Sequence, residues 1–226
     1  MYPIGFVDIT DSMKSTEQDT WYQSISDRGS RKIFQRGEVI ALQGEKPEFV
    51  SYIISGRAKA VSFSKHGDAT WIGHFNPQEF IGHISLLTQH QSQFEICAET
   101  EVEAIVISVD AMKELLLKEE GLSLSLSNDL ATKLDHMTSR LIEAFTLTAK
   151  GRVCAELSRL SRVIGILPEN LIIRPSPVFV EVAERVSSTR ETVSRTVSAL
   201  QKKGIVKRES GALIINKPDL LKAAIQ

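Results

Sequence analysis

Cysteines, long apolar runs and enzyme motifs are scarce in this chain, and each scarcity excludes a class of protein. The 226 residues include two cysteines, Cys97 and Cys154, too few for a disulfide framework, a cysteine-only metal site or the about four thiolates of an iron–sulfur cluster. No apolar run approaches the roughly 18 residues of a membrane span, and the chain starts without the features of a signal peptide. No phosphate loop, GxSxG motif or paired-histidine metal spacing occurs. We therefore expect a cytoplasmic protein that is not an enzyme, holds no metal and has no membrane partner.

The formal net charge of −1 hides an uneven distribution of charge. Residues 1–145 carry 13 Lys and Arg against 21 Asp and Glu, a balance of −8. Residues 146–226 carry 14 against 7, a balance of +7. Solvated lysine-rich faces are common, so the asymmetry is a modest signal by itself. It nevertheless favours a polyanionic partner for the C-terminal part, because the acidic part would repel one.

Residues 31–109 alternate short β-rich runs with turn residues. Turn signals recur at intervals of roughly eight to twelve residues, which is typical of compact antiparallel sheets. Gly67 suits the tip of a hairpin, because glycine readily adopts a positive φ. Residues 1–30 are polar, and Trp21 and Ile25 are the side chains by which a short helix would dock there. The pattern predicts an α+β protein that begins with a compact antiparallel barrel or roll.

A helical pattern covers residues 110–145, with Asp110 as its expected N-cap. In its second half, apolar residues recur at steps of three and four, close to the repeat of a coiled-coil seam. So short a repeat also fits a helix packed on its own domain, but the polar remaining faces favour a second copy of the chain. The predicted dimer interface consists of Leu126, Leu130, Leu134, Met137, Leu141 and Ala144.

The most informative segment is a helix expected over residues 190–203, which Thr189 can cap and Gly204 can end. One side of this helix carries the apolar residues Val193, Val197 and Leu200. The opposite side carries, near the N-terminal end, Arg190, Glu191, Ser194 and Arg195. A helix can enter the major groove by this end, where Arg donates two hydrogen bonds to guanine and Glu accepts one from cytosine. The spacing therefore predicts a DNA-recognition helix, although a lone motif of this kind is by default a solvated ion-pair face.

Residues 205–215 then form a predicted hairpin that turns at Ser210-Gly211. The basic residues before the turn can contact the phosphate backbone of DNA. The hairpin is a predicted wing that follows the short apolar segment 179–186, the serine turn and the helix. The cap, the turn, the wing and the local positive charge together favour DNA binding over a solvated face. The predicted DNA-binding residues are Thr189, Arg190, Glu191, Ser194, Arg195, Lys207 and Arg208.

These segments resemble the cyclic-AMP receptor protein/fumarate–nitrate reduction regulator (CRP/FNR) family of bacterial transcription factors. The resemblance runs from residue 31 to about residue 215 and is carried by FQRGEVIALQGE, YIISGRAKAV, FNPQEFIGHISLL and, most specifically, STRETVSRTVSALQKKGIV. It implies a sensor β-roll similar to cyclic-nucleotide-binding domains, a long dimerisation helix and a C-terminal winged helix-turn-helix. The corresponding regions are an N-terminal extension (1–30), the β-roll (31–109), the helix (110–145) and the DNA-binding domain (146–226).

The resemblance also implies partners and roles. Such a regulator is a homodimer that binds double-stranded promoter DNA at an inverted repeat and contacts RNA polymerase. The family's base-reading set maps onto Arg190, Glu191 and Arg195, joined by Ser194 in the oxygen-regulator branch. We expect a pseudo-palindromic operator with a G·C pair in each half-site, of the TGTGA or TTGAT type. The loop 167–172 corresponds in position to the family's polymerase-contacting surface, but the sequence does not decide between activation and repression.

The expected effector pocket departs from the cyclic-nucleotide pattern. His83 stands where nucleotide-binding relatives have Glu, Ser92-Gln93 stands where they have Arg-Ser, and no Lys or Arg occurs between Lys65 and Lys113. A phosphate bound there would lack a cationic side chain, which argues against cyclic AMP. By resemblance, the pocket would be lined by Ile81, Gly82, His83, Ser92, Gln93, Met137 and Thr138.

Other effector hypotheses follow from the same pocket. Haem needs an axial ligand, and a lone histidine is more often structural, so we expect no haem; the candidates by residue type are His66, His74, His83 and His90. A different small molecule and a constitutive, ligand-free regulator are equally compatible with the sequence. The rival interpretation of the whole chain is a sensor module that acts mainly through protein partners, but it leaves the helix 190–203 unexplained.

Overall fold

The computed structural model describes residues 15–164 and 171–225. Contacts within the chain define two compact units, one up to Lys133 and one from Leu134 onward. The first unit and the helix that leaves it contain α1 (Ser15–Arg28), β1 (Ser30–Phe34), β2 (Val39–Ala41), β3 (Phe49–Ser55), β4 (Ala58–Phe63), β5 (Ala69–Phe75), β6 (Phe80–Ile81), α2 (His83–Thr88), β7 (Glu95–Ala98), β8 (Val102–Ser108), α3 (Val109–Lys118) and α4 (Glu120–Thr146).

The predicted β-roll is confirmed as two four-stranded antiparallel sheets, in the orders β1-β8-β3-β6 and β2-β7-β4-β5. Apolar side chains from both sheets share one core, which includes Ile53, Phe75, Ile81, Ile96 and Ala104. The hairpin between β4 and β5 turns at Gly67, whose φ of 86° is the positive value expected of it. The sequence missed β6 because a strand of two residues has no periodicity to read.

A second core lies on the other face of the first sheet, where the helices pack. Trp21 and Ile25 of α1 are buried in it, as predicted for a docked helix, and Trp21 meets Tyr52 edge to face at 5.4 Å between ring centroids. Met112 and Leu115 of α3 belong to the same core. Residues 1–14 of the predicted N-terminal extension lie outside the described residues.

The long helix was predicted as one element capped by Asp110, and this was wrong. The helix starts at Val109, and the hydroxyl of Ser108 accepts a hydrogen bond from the Ala111 backbone N–H, so Asp110 lies in the first turn. Glu119 then adopts an extended conformation and separates α3 from α4. Because Ser and Asp are equally good caps, the sequence alone does not choose between positions two residues apart.

The second unit contains α5 (Ala149–Ile164), β9 (Leu171–Ile173), α6 (Phe179–Arg185), α7 (Arg190–Lys202), β10 (Val206–Glu209), β11 (Ala212–Ile215) and α8 (Pro218–Ala223). Its sheet has the antiparallel order β10-β11-β9, so β9 adds a third strand to the predicted hairpin. The predicted winged helix-turn-helix is present as α6, α7 and the β10–β11 wing. Of the predicted polymerase loop, residues 167–170 lie outside the described residues, and 171–172 belong to β9.

Neither described range contains a helix that is long and apolar enough to cross a membrane.

Candidate DNA interface and effector pocket

The start of α7 is fixed by its cap and by the turn before it. The Thr189 hydroxyl accepts a hydrogen bond from the Thr192 backbone N–H at 3.2 Å, as the sequence predicts. Ser187 takes a left-handed φ of 47° in the turn between α6 and α7. The expected apolar stripe is buried and also includes a threonine; its members are Val193, Thr196, Val197 and Leu200. The helix ends at Lys202, followed by Gly204 with a φ of 65°.

The opposite side of α7 carries exposed polar groups that the structure brings together at its N-terminal end. Arg190, Glu191, Ser194 and Arg195 are all exposed. Glu191 and Arg195 approach each other at 3.6 Å, with side chains 74% and 71% exposed. An exposed pair of this kind contributes about 0.2–1 kcal/mol. A good contact with a base edge discriminates by about 1–3 kcal/mol. Because the base contact is worth more than the ion pair, Glu191 and Arg195 can separate to contact bases. The ion pair is therefore compatible with the predicted role of both residues in reading DNA.

The wing residues already have partners within the chain. Lys207 donates a hydrogen bond to Glu209 at 2.8 Å, and this carboxylate raises the pKa of the lysine. The Arg208 guanidinium stacks over the Phe179 ring at 4.3 Å from its centroid. That contact joins the wing to the start of α6. It could not be predicted from the sequence, because the two residues lie far apart in the chain.

Arg152 of α5 holds the turn that precedes α7, and this role is not evident from the sequence. Its Nε donates to the carbonyl of Val186 at 2.9 Å, and its Nη2 donates to the carbonyl of Ser187 at 3.3 Å. The guanidinium of Arg152 therefore holds in place the backbone of the turn from which α7 begins.

The predicted dimer face on α4 divides into a buried and an exposed part. Leu126 is 3% exposed and belongs to the core of its own unit, so its assignment to a dimer interface was wrong; Leu130 also packs partly against that core. The spacing of three and four residues does not distinguish the two parts, because one apolar repeat runs through both. Its first members pack inside the chain, and the later ones are exposed. Beyond it the apolar residues are exposed, together with two that were not predicted: Leu134, Met137, Leu141, Ala144, Ile142 and Phe145.

The predicted pocket corresponds in part to a small cleft in the first unit. It is lined by Ala41, Pro47, Phe75, Gly82, His83, Ile84, Ser85, Ser92, Phe94 and Ile96. Of the predicted lining, Ile81 is buried in the roll core and Gln93 is exposed, and neither lines the cleft. Met137 and Thr138 are exposed residues of α4 in the other unit. The cavity volume of ≈ 20 Å³ accommodates about one water molecule.

A compact charge cluster, comprising Glu79, His83, Asp129 and Lys133, joins this cleft to α4. Lys133 donates hydrogen bonds to Asp129 and Glu79, both at 2.6 Å. The buried His83 lies with its Nε2 3.4 Å from Asp129 Oδ2, outside hydrogen-bond geometry. Burial, helped by the charge of Lys133, lowers the pKa of His83 to about 4, so the imidazole is neutral at pH 7.

The residues of the cleft do not fit a cyclic nucleotide. Its lining contains no Lys or Arg, and the nearby ammonium of Lys133 is already paired with two carboxylates. Nor do the four histidines considered for haem form a common site. His66 and His90 are exposed, and His74 packs against Trp71 and Glu99. Within residues 15–164 and 171–225, no three His, Cys, Asp or Glu side chains gather as metal ligands.

Both units match known families. Residues 31–119 match the family model of the cyclic nucleotide-binding domain, and residues 151–224 match that of the Crp-like helix-turn-helix domain. Together the two matches cover more than two thirds of the chain. The chain belongs to the CRP/FNR family. As a member of this family, it is a transcription regulator with a helix-turn-helix DNA-binding domain.

The chain is similar to several regulators, whose names state different effectors or none. The CRP-like cAMP-activated global transcriptional regulator of Mycobacterium tuberculosis is 23% identical over 189 residues, 83% of this chain and 84% of the relative. The Anaerobic regulatory protein of Bacillus subtilis is 20% identical over 227 residues, 99% and 95% of the two chains. The solved structure of the c-di-GMP-responsive regulator CLP of Xanthomonas campestris superposes with a TM-score of 0.76 at 18% identity, over 87% of this chain and 98% of that one. These relatives are regulators, and their names give no common effector.

Proposed function

We propose that the chain acts as a cytoplasmic homodimer that binds an inverted-repeat promoter site through α7. The observation that carries this proposal is the capped helix whose buried stripe leaves Arg190, Glu191, Ser194 and Arg195 exposed at its N-terminal end. Two such helices, about 34–36 Å apart in a two-fold dimer, would enter successive major grooves. Arg190 and Arg195 read guanine, Glu191 reads cytosine, and Ser194 reaches a base or phosphate.

The exposed apolar face of α4 supports the dimer. Leu134, Leu141 and Phe145 are 67%, 58% and 82% exposed and recur at helical spacing along one side. Large apolar side chains exposed together along one helix face commonly mark a protein–protein interface, and a second copy of the same helix would cover this face symmetrically. Residues Met137 and Ala144 extend the same face.

We further propose that DNA binding requires no cyclic nucleotide. The cluster of Glu79, His83, Asp129 and Lys133 supports this, because it pairs the ammonium of Lys133 with two carboxylates of the chain itself. A ligand can shift a conformational equilibrium only by its differential affinity for the two states. A cleft with room for about one water molecule offers a nucleotide little to bind. A smaller effector in the same cleft is the second candidate, favoured by the unpartnered nitrogens of His83.

Regulation of promoters would then follow from where the dimer binds and from its contact with RNA polymerase. The proposed role is non-catalytic, in keeping with relatives that are regulators. The alternative, a sensor module acting mainly through protein partners, predicts weak and unselective DNA binding.

Selection of bound sequences from random duplex DNA by the purified protein tests the proposal. We expect enrichment of a two-fold symmetric sequence with a G·C pair in each half-site, and the same enrichment with and without added cyclic AMP. Enrichment only with cyclic AMP would overturn the ligand-independent mechanism. No enrichment under either condition would favour the protein-partner alternative.

A further inference from the structure

A group of charged side chains surrounds the carboxylate of Glu156 in the second unit. Glu156 lies on α5 and is 1% exposed. Arg140 of α4 and Arg185, the last residue of α6, approach its two oxygens at 3.3 and 3.4 Å. Arg159, one turn further along α5, also donates to it. Three helices therefore meet at one buried carboxylate, whose loss would leave neighbouring arginines facing one another.

One of these arginines, Arg140, also holds the backbone of the turn before α7, together with Arg152 of α5. Arg140 donates its second hydrogen bond to the carbonyl of Arg185 at 3.1 Å. The next two carbonyls, of Val186 and Ser187, accept from Arg152. A non-glycine residue with the φ of Ser187 needs such support from its surroundings. The turn is thus held by side chains from α4 and α5 rather than by its own sequence.

We propose that Glu156 is a positioning residue for DNA reading. By orienting Arg140 and Arg185, it fixes the turn over residues 185–188 and so the angle at which α7 presents its exposed end. Being buried, Glu156 itself touches no DNA. The inference rests on the proposed reading role of α7.

The network also reaches further along α4. Glu143 accepts a hydrogen bond from Arg159 at 2.5 Å. Arg140 and Glu143 lie three residues apart, within one turn of each other, so both grip the same end of α4. A displacement of that end relative to α5 must therefore strain the cluster and, through Arg140, the turn before α7.

Glu156→Gln in the full chain tests this role. We expect affinity for the selected operator to fall about 10-fold at a temperature where the variant is folded. Affinity for unrelated DNA should change less than about twofold, because phosphate contacts do not need the reading angle. Removing a negative charge by itself strengthens attraction to DNA, so a loss of operator affinity cannot come from net charge. Amide hydrogen exchange in the turn over residues 185–188 should become faster.

Glu143→Gln is the matched control, since it makes the same charge change but its hydrogen bond goes to Arg159, which donates no bond to the turn before α7. We expect operator affinity to change less than about threefold. Should Glu156→Gln fail to fold, Arg140→Lys takes its place, because it keeps the charge but cannot bond Glu156 and the Arg185 carbonyl together, and we expect the same direction of effect. A variant with a lower melting temperature but wild-type operator affinity and exchange would show that the cluster only stabilises the domain, and the positioning role would be wrong. If the wild-type protein selects no sequence, it is the proposed DNA function that fails.

Discussion

The charges at the start of α7 and those around His83 are arranged in opposite ways. On α7, Arg190 is exposed, and the weak Glu191–Arg195 pair lies open to solvent. Around His83, the ammonium of Lys133 is mostly buried and bonded at 2.6 Å to two carboxylates. The first arrangement is suited to an external partner, whereas the second satisfies its charges within the chain.

This difference separates the two functions that the fold combines. A surface that reads DNA must keep its donors solvated and available, so it gains little stability from them. The cleft is lined by no Lys or Arg that could bind an anion. The charged groups beside it pair with one another instead, and these pairs hold α4 against the β-roll. Membership of a family with a nucleotide-binding domain therefore does not imply a nucleotide here.

The largest expected effect comes from dissociating the proposed dimer, so that the two α7 helices no longer bind DNA together. Leu141→Glu places a charge in the exposed apolar face of α4 and should give a monomer by sedimentation analysis. Operator affinity should fall roughly 100-fold or more, because the second half-site no longer adds to binding. Ser139→Glu, on the opposite side of the same helix, should leave mass and affinity unchanged. A dimeric Leu141→Glu variant would contradict the proposed interface.

A direct change in the reading surface should have the next largest effect. Arg195→Ala should reduce discrimination at one base pair of each half-site by about 1–3 kcal/mol, since a bidentate contact is lost. Repeating the selection with the variant measures this as lost sequence preference at that position. Lys202→Gln, at the other end of α7, should weaken binding evenly across sequences. Unchanged preference in Arg195→Ala would mean that α7 docks differently.

The buried cluster should reveal itself in stability rather than in DNA binding. The pKa of His83 lies at about 4 in the folded chain, below its ordinary 6.5, so the unfolded chain takes up the proton first as pH falls. Stability from this group is therefore complete above pH 6.5 and is lost toward pH 4. Between pH 7.5 and pH 5, urea unfolding of the wild type should lose about 2 kcal/mol more than that of His83→Gln.

His66→Gln, which alters an exposed histidine, is the control for that measurement and should behave as the wild type. An equal pH dependence in the wild type and His83→Gln would show that the imidazole is not held neutral.

The smallest expected effect concerns the cap of α7. Thr189→Ala removes the acceptor for the Thr192 N–H and should lower the free energy of unfolding by about 1 kcal/mol. Thr189→Ser keeps the hydroxyl and should retain most of that stability in the same denaturant titration. If both variants lose equal stability, the methyl group rather than the cap matters.

Local signals made much of the fold predictable. The Thr189 cap and the turn at Gly67 are encoded by neighbouring residues, and both were found where expected. The exposed reading face of α7 likewise follows from helical periodicity alone.

The features that were missed depend on residues far apart in the chain. Lys133 forms a hydrogen bond with Glu79, although the two residues lie 54 positions apart in the chain. The sequence around the cleft residues lacks Lys and Arg, so it did not reveal that α4 supplies an ammonium group beside the cleft. Leu126 continues an apolar repeat, but the roll covers it first. Glu156 belongs to no local sequence motif, because two of the arginines that contact it lie on other helices.

The stacking of Arg208 on Phe179 has a consequence for the ionic-strength dependence of operator binding. While Arg208 stays on its ring, its guanidinium displaces fewer condensed counterions from the duplex than its formal charge suggests. Each phosphate neutralised contributes about 0.9 to the slope of log affinity against log salt. Arg208 would then add less to that slope than an unstacked arginine, and operator affinity would fall less steeply with salt concentration.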